Sequence, residues 1–179
     1  MAKASAIRVL GVDPGTIRLG YGLIEVLGSA VKVVASGVVA APATWETARR
    51  LARIAGELGR LIEEAAPSCL ALEASFFGKD PHALIRLGEA RGMVLALAGA
   101  RGLAVHDYPP ATVKKSVTGN GGASKEQVAR VLAALLPELG RAADHDGRLD
   151  RTDAIAVAWC HIQKLRLADR IAAVARARR

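Results

Sequence analysis

The sequence predicts a mixed α/β domain: a five-stranded mixed sheet with helices on both faces. Three observations carry the prediction. Runs with strand character and runs with helical periodicity follow one another in the order β-β-β-α-β-α-β-α-α-α. The first three strands are separated only by short turns, which makes them an antiparallel meander rather than a β-α-β unit. The 179 residues are 51% hydrophobic against 23% charged, with no low-complexity break, enough apolar surface for one core in one domain spanning residues 1–179.

Residues 7–13 are apolar and β-branched and stop at Pro14-Gly15, the pattern of a central strand running into a turn. Residues 20–27 and 31–39 are strand-like and separated by Gly28-Ser29. Trp45, Ala48, Leu51, Ala52, Ala55, Leu58, Leu61, Ile62 and Ala65 recur at helical spacing, and Pro67 ends that amphipathic helix. Residues 69–72 form a short buried strand that finishes at Glu73. Asp80-Pro81 supplies a capping oxygen and a proline at the first helical position, so a helix is predicted from there to Ala100, with Leu84, Leu87, Met93 or Val94 and Leu97 on its apolar face. A fifth strand covers residues 103–108, and a short helix residues 112–117. Ser124 and Gln127 make a capping box for a helix closed by Pro137. Asp150 opens a last helix that is apolar all round from Ala154 to Cys160, and the basic tail near residues 170–179 is expected to fray.

The formal charge is +8, with 25 Lys and Arg against 17 Asp and Glu, which suits a polyanionic partner but also fits a ribosomal or membrane-surface protein. Cys69 and Cys160 belong to no C-x-x-C pair and read as reduced core thiols. The four histidines, His82, His106, His145 and His161, show no paired metal spacing. His145 lies in the polar run before Asp150 and is the one placed to approach that acid. Charge within the first residues argues against a signal peptide, and the longest apolar segment falls short of the ~20 residues that span a bilayer. A cytoplasmic location without membrane contact is the expectation.

Four acids stand where chemistry is done. Asp13 ends the first strand in Gly11-Val12-Asp13-Pro14-Gly15, where crowding is low; by itself it could equally cap a turn. Glu73 ends a buried strand, an unusual place for a charge that is neither paired nor bound to a metal. The first and fourth strands are expected to be neighbours, which would bring Asp13 and Glu73 together. Asp150 and Asp153 are three apart at a helix start and share one face. Carboxylates converging without Lys or Arg between them need cations, and an oxygen-only set selects Mg²⁺ or Mn²⁺. Two such ions ~3.5–4 Å apart can drive in-line phosphoryl displacement, the chemistry of a nuclease. Lys114, Lys115 and Lys125 bracket the loop Gly119-Asn120-Gly121-Gly122 and suit a phosphate backbone. Phe76 and Phe77 follow Glu73, and Phe76 is the better placed to stack on an unpaired base.

In order, Gly11-Val12-Asp13-Pro14-Gly15 with Gly20-Tyr21-Gly22, Leu72-Glu73 with Phe76-Phe77, Leu87-Gly88-Glu89-Ala90-Arg91-Gly92, residues 113–119 with Lys125, and Asp150-Arg151-Thr152-Asp153-Ala154 resemble the RuvC family of Holliday junction resolvases. The resemblance spans nearly the whole chain. It implies a ribonuclease H-like fold and a homodimeric crossover junction endodeoxyribonuclease that nicks four-way DNA junctions in recombination and repair. It also implies Asp13, Glu73, Asp150 and Asp153 as catalytic ligands of Mg²⁺, two ions per site with Mn²⁺ as a substitute. Asp150 is either a direct ligand or a water-positioning group. Lys114 and Lys125 would lie at DNA phosphates, and the RuvA-RuvB branch-migration complex would be a partner. The helix from Asp80 to Ala100, with small residues on one side, is the candidate dimer interface. Two other readings stand beside this one: a non-catalytic or differently specific ribonuclease H-like nucleic-acid-binding protein, and an actin-like ATPase or sugar kinase, which also begins with an Asp-x-Gly turn.

Overall fold

The structure, a computed structural model, describes residues 6–74, 80–140 and 149–177. Its sheet contains β1 (Ile7–Asp13), β2 (Arg18–Leu27), β3 (Ala30–Ala40), β4 (Cys69–Glu73) and β5 (Ala104–Tyr108) in the spatial order β3-β2-β1-β4-β5. Short turns leave β1, β2 and β3 antiparallel, whereas β4 and β5, each reached through a helix, run parallel to β1 and β4. The sheet is therefore mixed, with β1 and β4 side by side.

Strand side chains alternate between two faces, and each face has its own core. Leu10, Val12, Leu70 and Leu72 pack on Ile54, Leu58 and Ile62 of α1 (Thr47–Ala65) and on Val94 and Ala98 of α2 (Pro81–Ala100). Val9, Cys69 and Ala71 face α5 (Asp150–Ala177), over which α3 (Pro110–Thr118) and α4 (Lys125–Leu135) are laid. With sheet on one side and two helices on the other, α5 has no solvent face from Ala154 to Cys160, which explains why its sequence there carries no polar stripe.

One local feature differs from expectation. The buried positions of α2 are Ala90, Val94 and Ala98, while Leu84, Leu87, Met93 and Leu97 are only half-buried. Small residues on the inner side let the helix lie close to the sheet core, and the larger ones spread to its flanks. α5 is helical through Ala177. The caps follow the sequence: Asp80 accepts a hydrogen bond from the His82 amide at 2.9 Å, and Ser124 and Gln127 form the capping box of α4. Both cysteines are free and buried.

Candidate active site

Asp13 and Glu73 are the last residues of β1 and β4, and the register Val12↔Leu72 brings those two strand ends level. Asp13 follows Val9 and Gly11 onto the face covered by α5, as Glu73 follows Cys69 and Ala71. The first turn of α5 reaches the same corner because glycines remove the side chains beneath it. A Cβ on Gly20, the partner of Asp13 in β2, would stand 2.1 Å from the Asp150 carbonyl oxygen, and one on Gly11 would stand 1.9 Å from that of Ala154. Helix backbone thus lies directly on strand backbone, and Asp150 and Asp153 are delivered beside Asp13.

The corner concentrates four carboxylates and is partly buried. Asp13 is pushed up to about 7, first by burial, then by Asp153, with Asp150 and Glu73 adding to the repulsion and Lys125 opposing it. Glu73 and Asp153 are likewise raised, chiefly by burial. Burial works to lower Lys125, yet its hydrogen bond to Asp153 and the charges of Asp153, Asp13 and Glu73 outweigh that and raise it.

The expected absence of Lys and Arg from the cluster is overturned. Lys125, at the start of α4, makes an ion pair with Asp153, and the Arg18 guanidinium donates to Asp150 at 2.6 Å. Four carboxylates in a partly buried corner need positive charge, and these side chains supply it. The acids are correspondingly not drawn to one point. Among the described residues, the set of His, Cys, Asp or Glu donors lying within 4.8 Å of one another is a different one, Cys69, His106 and His161. Arg18 was missed by the sequence reading, although a cation just after the Asp13 turn was the available signal. Arg91 was also missed: from α2 it reaches the Glu73 carbonyl at 3.4 Å and pairs with Asp107 at 2.6 Å, bracing the end of β4.

Lys114 is half-buried on α3 and close enough to lower Glu73 and Asp153. Lys115 is exposed and turns instead into a separate groove of about 510 Å³ between α3 and α5, which Lys164 and Leu167 also line. Phe76, Phe77 and His145 lie outside the described residues.

The model of the family described as crossover junction endodeoxyribonuclease RuvC matches residues 9–161. The chain belongs to the RuvC family. A RuvC of Beijerinckia indica is 41% identical over 157 residues, 88% of this chain and 87% of the relative. One of Sorangium cellulosum is 41% identical over 167 residues, 93% and 90% of the two chains. Among solved structures, T. thermophilus RuvC in complex with Holliday junction substrate superposes with a TM-score of 0.82 at 28% identity, covering 90% of this chain and 96% of that one. The ribonuclease H-like architecture of RuvC is thus the fold of this chain. The readings as an ATPase or a non-catalytic module are not favoured, since the whole matched span is that of the RuvC nucleases and all four acids are present.

Proposed function

We propose that this RuvC-family chain is a structure-selective DNA endonuclease that resolves four-way junctions by paired, symmetric nicks in recombination and repair. The observation that carries the reading is the placing of Asp13, Glu73, Asp150 and Asp153 around one sheet corner, near enough for the other three to raise Asp13, two from strand ends and two from one helical turn. An all-oxygen donor set in which burial and mutual repulsion push Asp13 up to about 7 fits a hard divalent cation. These four residues would hold Mg²⁺, two ions per site with Mn²⁺ as a substitute, and the bound metal supplies Lewis acidity and a water acidic enough to attack a phosphodiester.

The chain's own residues do the positioning. Asp13 and Glu73 are fixed by the sheet, Asp153 by the first turn of α5, and Asp150 either ligates or orients the attacking water. Lys114 and Lys125 stand beside the acids, where a scissile phosphate has to enter, and offset the repulsion between it and the carboxylates. Lys115 extends the basic surface outward, and Phe76 is assigned to stacking on a base at the branch point, worth roughly 1–3 kcal/mol.

Two opposed strands require two sites, so the reading includes a homodimer. The outer side of α2 suits the interface: Ile85 and Leu95 are 59% and 41% exposed, and added Cβ atoms on Gly88, Gly92 and Gly99 would meet nothing within the chain. Among the described residues no helix is long and apolar enough to cross a membrane. The proposal places the protein in the cytoplasm with the RuvA-RuvB branch-migration complex as partner.

Labelled four-way junction, linear duplex and RNA–DNA hybrid, each with and without Mg²⁺, test the proposal. Symmetric nicks on the junction alone, lost in Asp13→Asn while junction binding persists, are expected. Equal cutting of linear duplex would refute it. Light scattering that gives a monomer at micromolar concentration, and on DNA as well, would refute the dimer.

A further inference from the structure

The sheet face that carries Asp13 and Glu73 holds a second group of donor atoms deeper in the fold. The β4–β5 register pairs Ala71 with His106 and Glu73 with Tyr108, so Cys69, His106 and Tyr108 all face α5. His161 descends onto them from α5, eight residues past Asp153 and therefore about 12 Å further along the helix. Its Nε2 is 3.3 Å from Cys69 Sγ, its Nδ1 is 2.6 Å from the Tyr108 hydroxyl, and its ring stacks on His106 with centroids 4.3 Å apart. One donor atom each from Cys69, His106 and His161 lie within 4.8 Å of one another. No spacing in the sequence announces this set, because its members come from three separate elements.

We propose that Cys69, His106 and His161 form a binding site for a thiophilic transition-metal cation of the Zn²⁺ class, distinct from the carboxylate site. One thiol and two imidazoles are the donors that Zn²⁺ selects and that Mg²⁺ does not. With Zn–S about 2.3 Å and Zn–N about 2.0–2.1 Å, tetrahedral ligands sit roughly 3.5 Å apart. The 3.3 Å between Cys69 and His161 is close to that separation before any adjustment. His106, on an edge strand and the most open of the three, is the ligand free to turn. Burial, assisted by His106, holds His161 down at about 4, so its ring is in the neutral ligand form throughout the neutral range.

Tyr108 completes the arrangement from behind. When His161 Nε2 is given to the cation, Nδ1–H donates to the Tyr108 oxygen, the outer hydrogen bond that orients a ligating imidazole. Burial pushes the phenol up to about 12, so it stays a neutral orienting group. Burial also raises the Cys69 thiol, so the cation has to displace a proton and binds more tightly as pH rises. Three protein donors would leave a fourth position open, and a cation held there would tie the edge strand β5 to β4 and α5, about 12 Å along α5 from Asp153.

Co²⁺ is the probe, titrated into the full-length protein in a large excess of Mg²⁺ that saturates the carboxylates. One equivalent should bring a thiolate-to-cobalt charge-transfer band and tetrahedral d–d bands, which Zn²⁺ bleaches. Cys69→Ser should abolish the charge-transfer band, and His106→Gln should weaken Co²⁺ binding by more than the about 10–100-fold that losing an outer-shell partner costs. Cys160→Ser and Asp13→Asn should keep the band. Absence of the band in the wild-type protein overturns the proposal, as does its survival in folded Cys69→Ser or its loss in Cys160→Ser. If Cys69→Ser does not fold, His106→Gln decides: unchanged Co²⁺ affinity and an unchanged rise in Tm with Zn²⁺ overturn the site.

Discussion

Gly20→Ala tests whether the active corner depends on backbone lying on backbone. The new methyl would sit 2.1 Å from the Asp150 carbonyl oxygen and 2.4 Å from its carbon, against 3.4 Å for ordinary contact. The first turn of α5 must therefore withdraw by about 1.3 Å, the difference between 3.4 and 2.1 Å, because the obstacle is backbone that cannot rotate aside. Overpacking of this kind costs about 1–3 kcal/mol, and in a chain of this size each kcal/mol lowers Tm by about 2–4 °C. Displacing Asp150 and Asp153 by ~1 Å from Asp13 should also reduce single-turnover junction cleavage by about 10²-fold. Gly56→Ala on α1, where an added Cβ meets nothing, is the control and should gain about 0.5–1 kcal/mol from helix propensity with cleavage unchanged. Thermal melting and quenched-flow cleavage read both effects. Wild-type melting together with wild-type cleavage in Gly20→Ala would refute the idea that this glycine docks the helix.

Asp13→Asn, besides abolishing cleavage, should stabilise the protein in chelator. The folded carboxyl is raised from 3.8 to about 7, so its cost is absent below pH 4, grows between about pH 4 and 7, and levels off above that at no more than about 4 kcal/mol. Melting curves of the two proteins that fail to diverge with rising pH would count against a repelled, shielded carboxylate. His161 gives the opposite profile. With its folded value held at about 4 against 6.5 for free imidazole, its contribution is fully present above pH 6.5 and is lost as pH falls toward 4, by at most about 3 kcal/mol. The groups that face it are Cys69, His106 and Tyr108, and His161→Phe should flatten that part of the pH–stability curve measured in chelator.

The antiparallel opening, the pairing of the first and fourth strands and the placing of two acids at their ends were legible for a simple reason. An apolar run ending in Asp13 or Glu73 declares both a buried strand and a charge at its end, and helical spacing places Asp150 and Asp153 on one face without further information. Which cations enter the corner was not legible, since Lys125 and Arg18 lie 28 and 132 residues from the acids they pair with, and only the packed fold joins them. The glycines of β1 and β2 were visible as a pattern. Their purpose needed α5 in place, because a missing side chain signals a close approach without naming what approaches. For the same reason His106 and His161 looked unrelated: strand alternation and a helix register, computed from two distant elements, bring them within stacking distance.

Lys125 is the residue whose role the fold redefines, and it serves two ligands that compete. Its ammonium is engaged by Asp153, yet the site asks for positive charge both among the carboxylates and at the incoming phosphate. A lysine that only neutralises Asp153 would be a rival of the divalent cation. Lys125→Gln would then tighten Mg²⁺ binding and leave junction affinity alone. A lysine that passes from Asp153 to a phosphate when DNA arrives behaves differently. Lys125→Gln would then weaken junction binding and reduce the slope of log K against log salt by about 0.9, one phosphate's share, while Mg²⁺ binding without DNA still tightens. The second outcome is expected, because Lys125 stands at the mouth of the corner on an exposed helix start, from which a flexible side chain can reach outward. Measuring junction Kd across salt in Ca²⁺, and Mg²⁺ binding by calorimetry, separates the two. An unchanged salt slope would assign Lys125 to Asp153 alone.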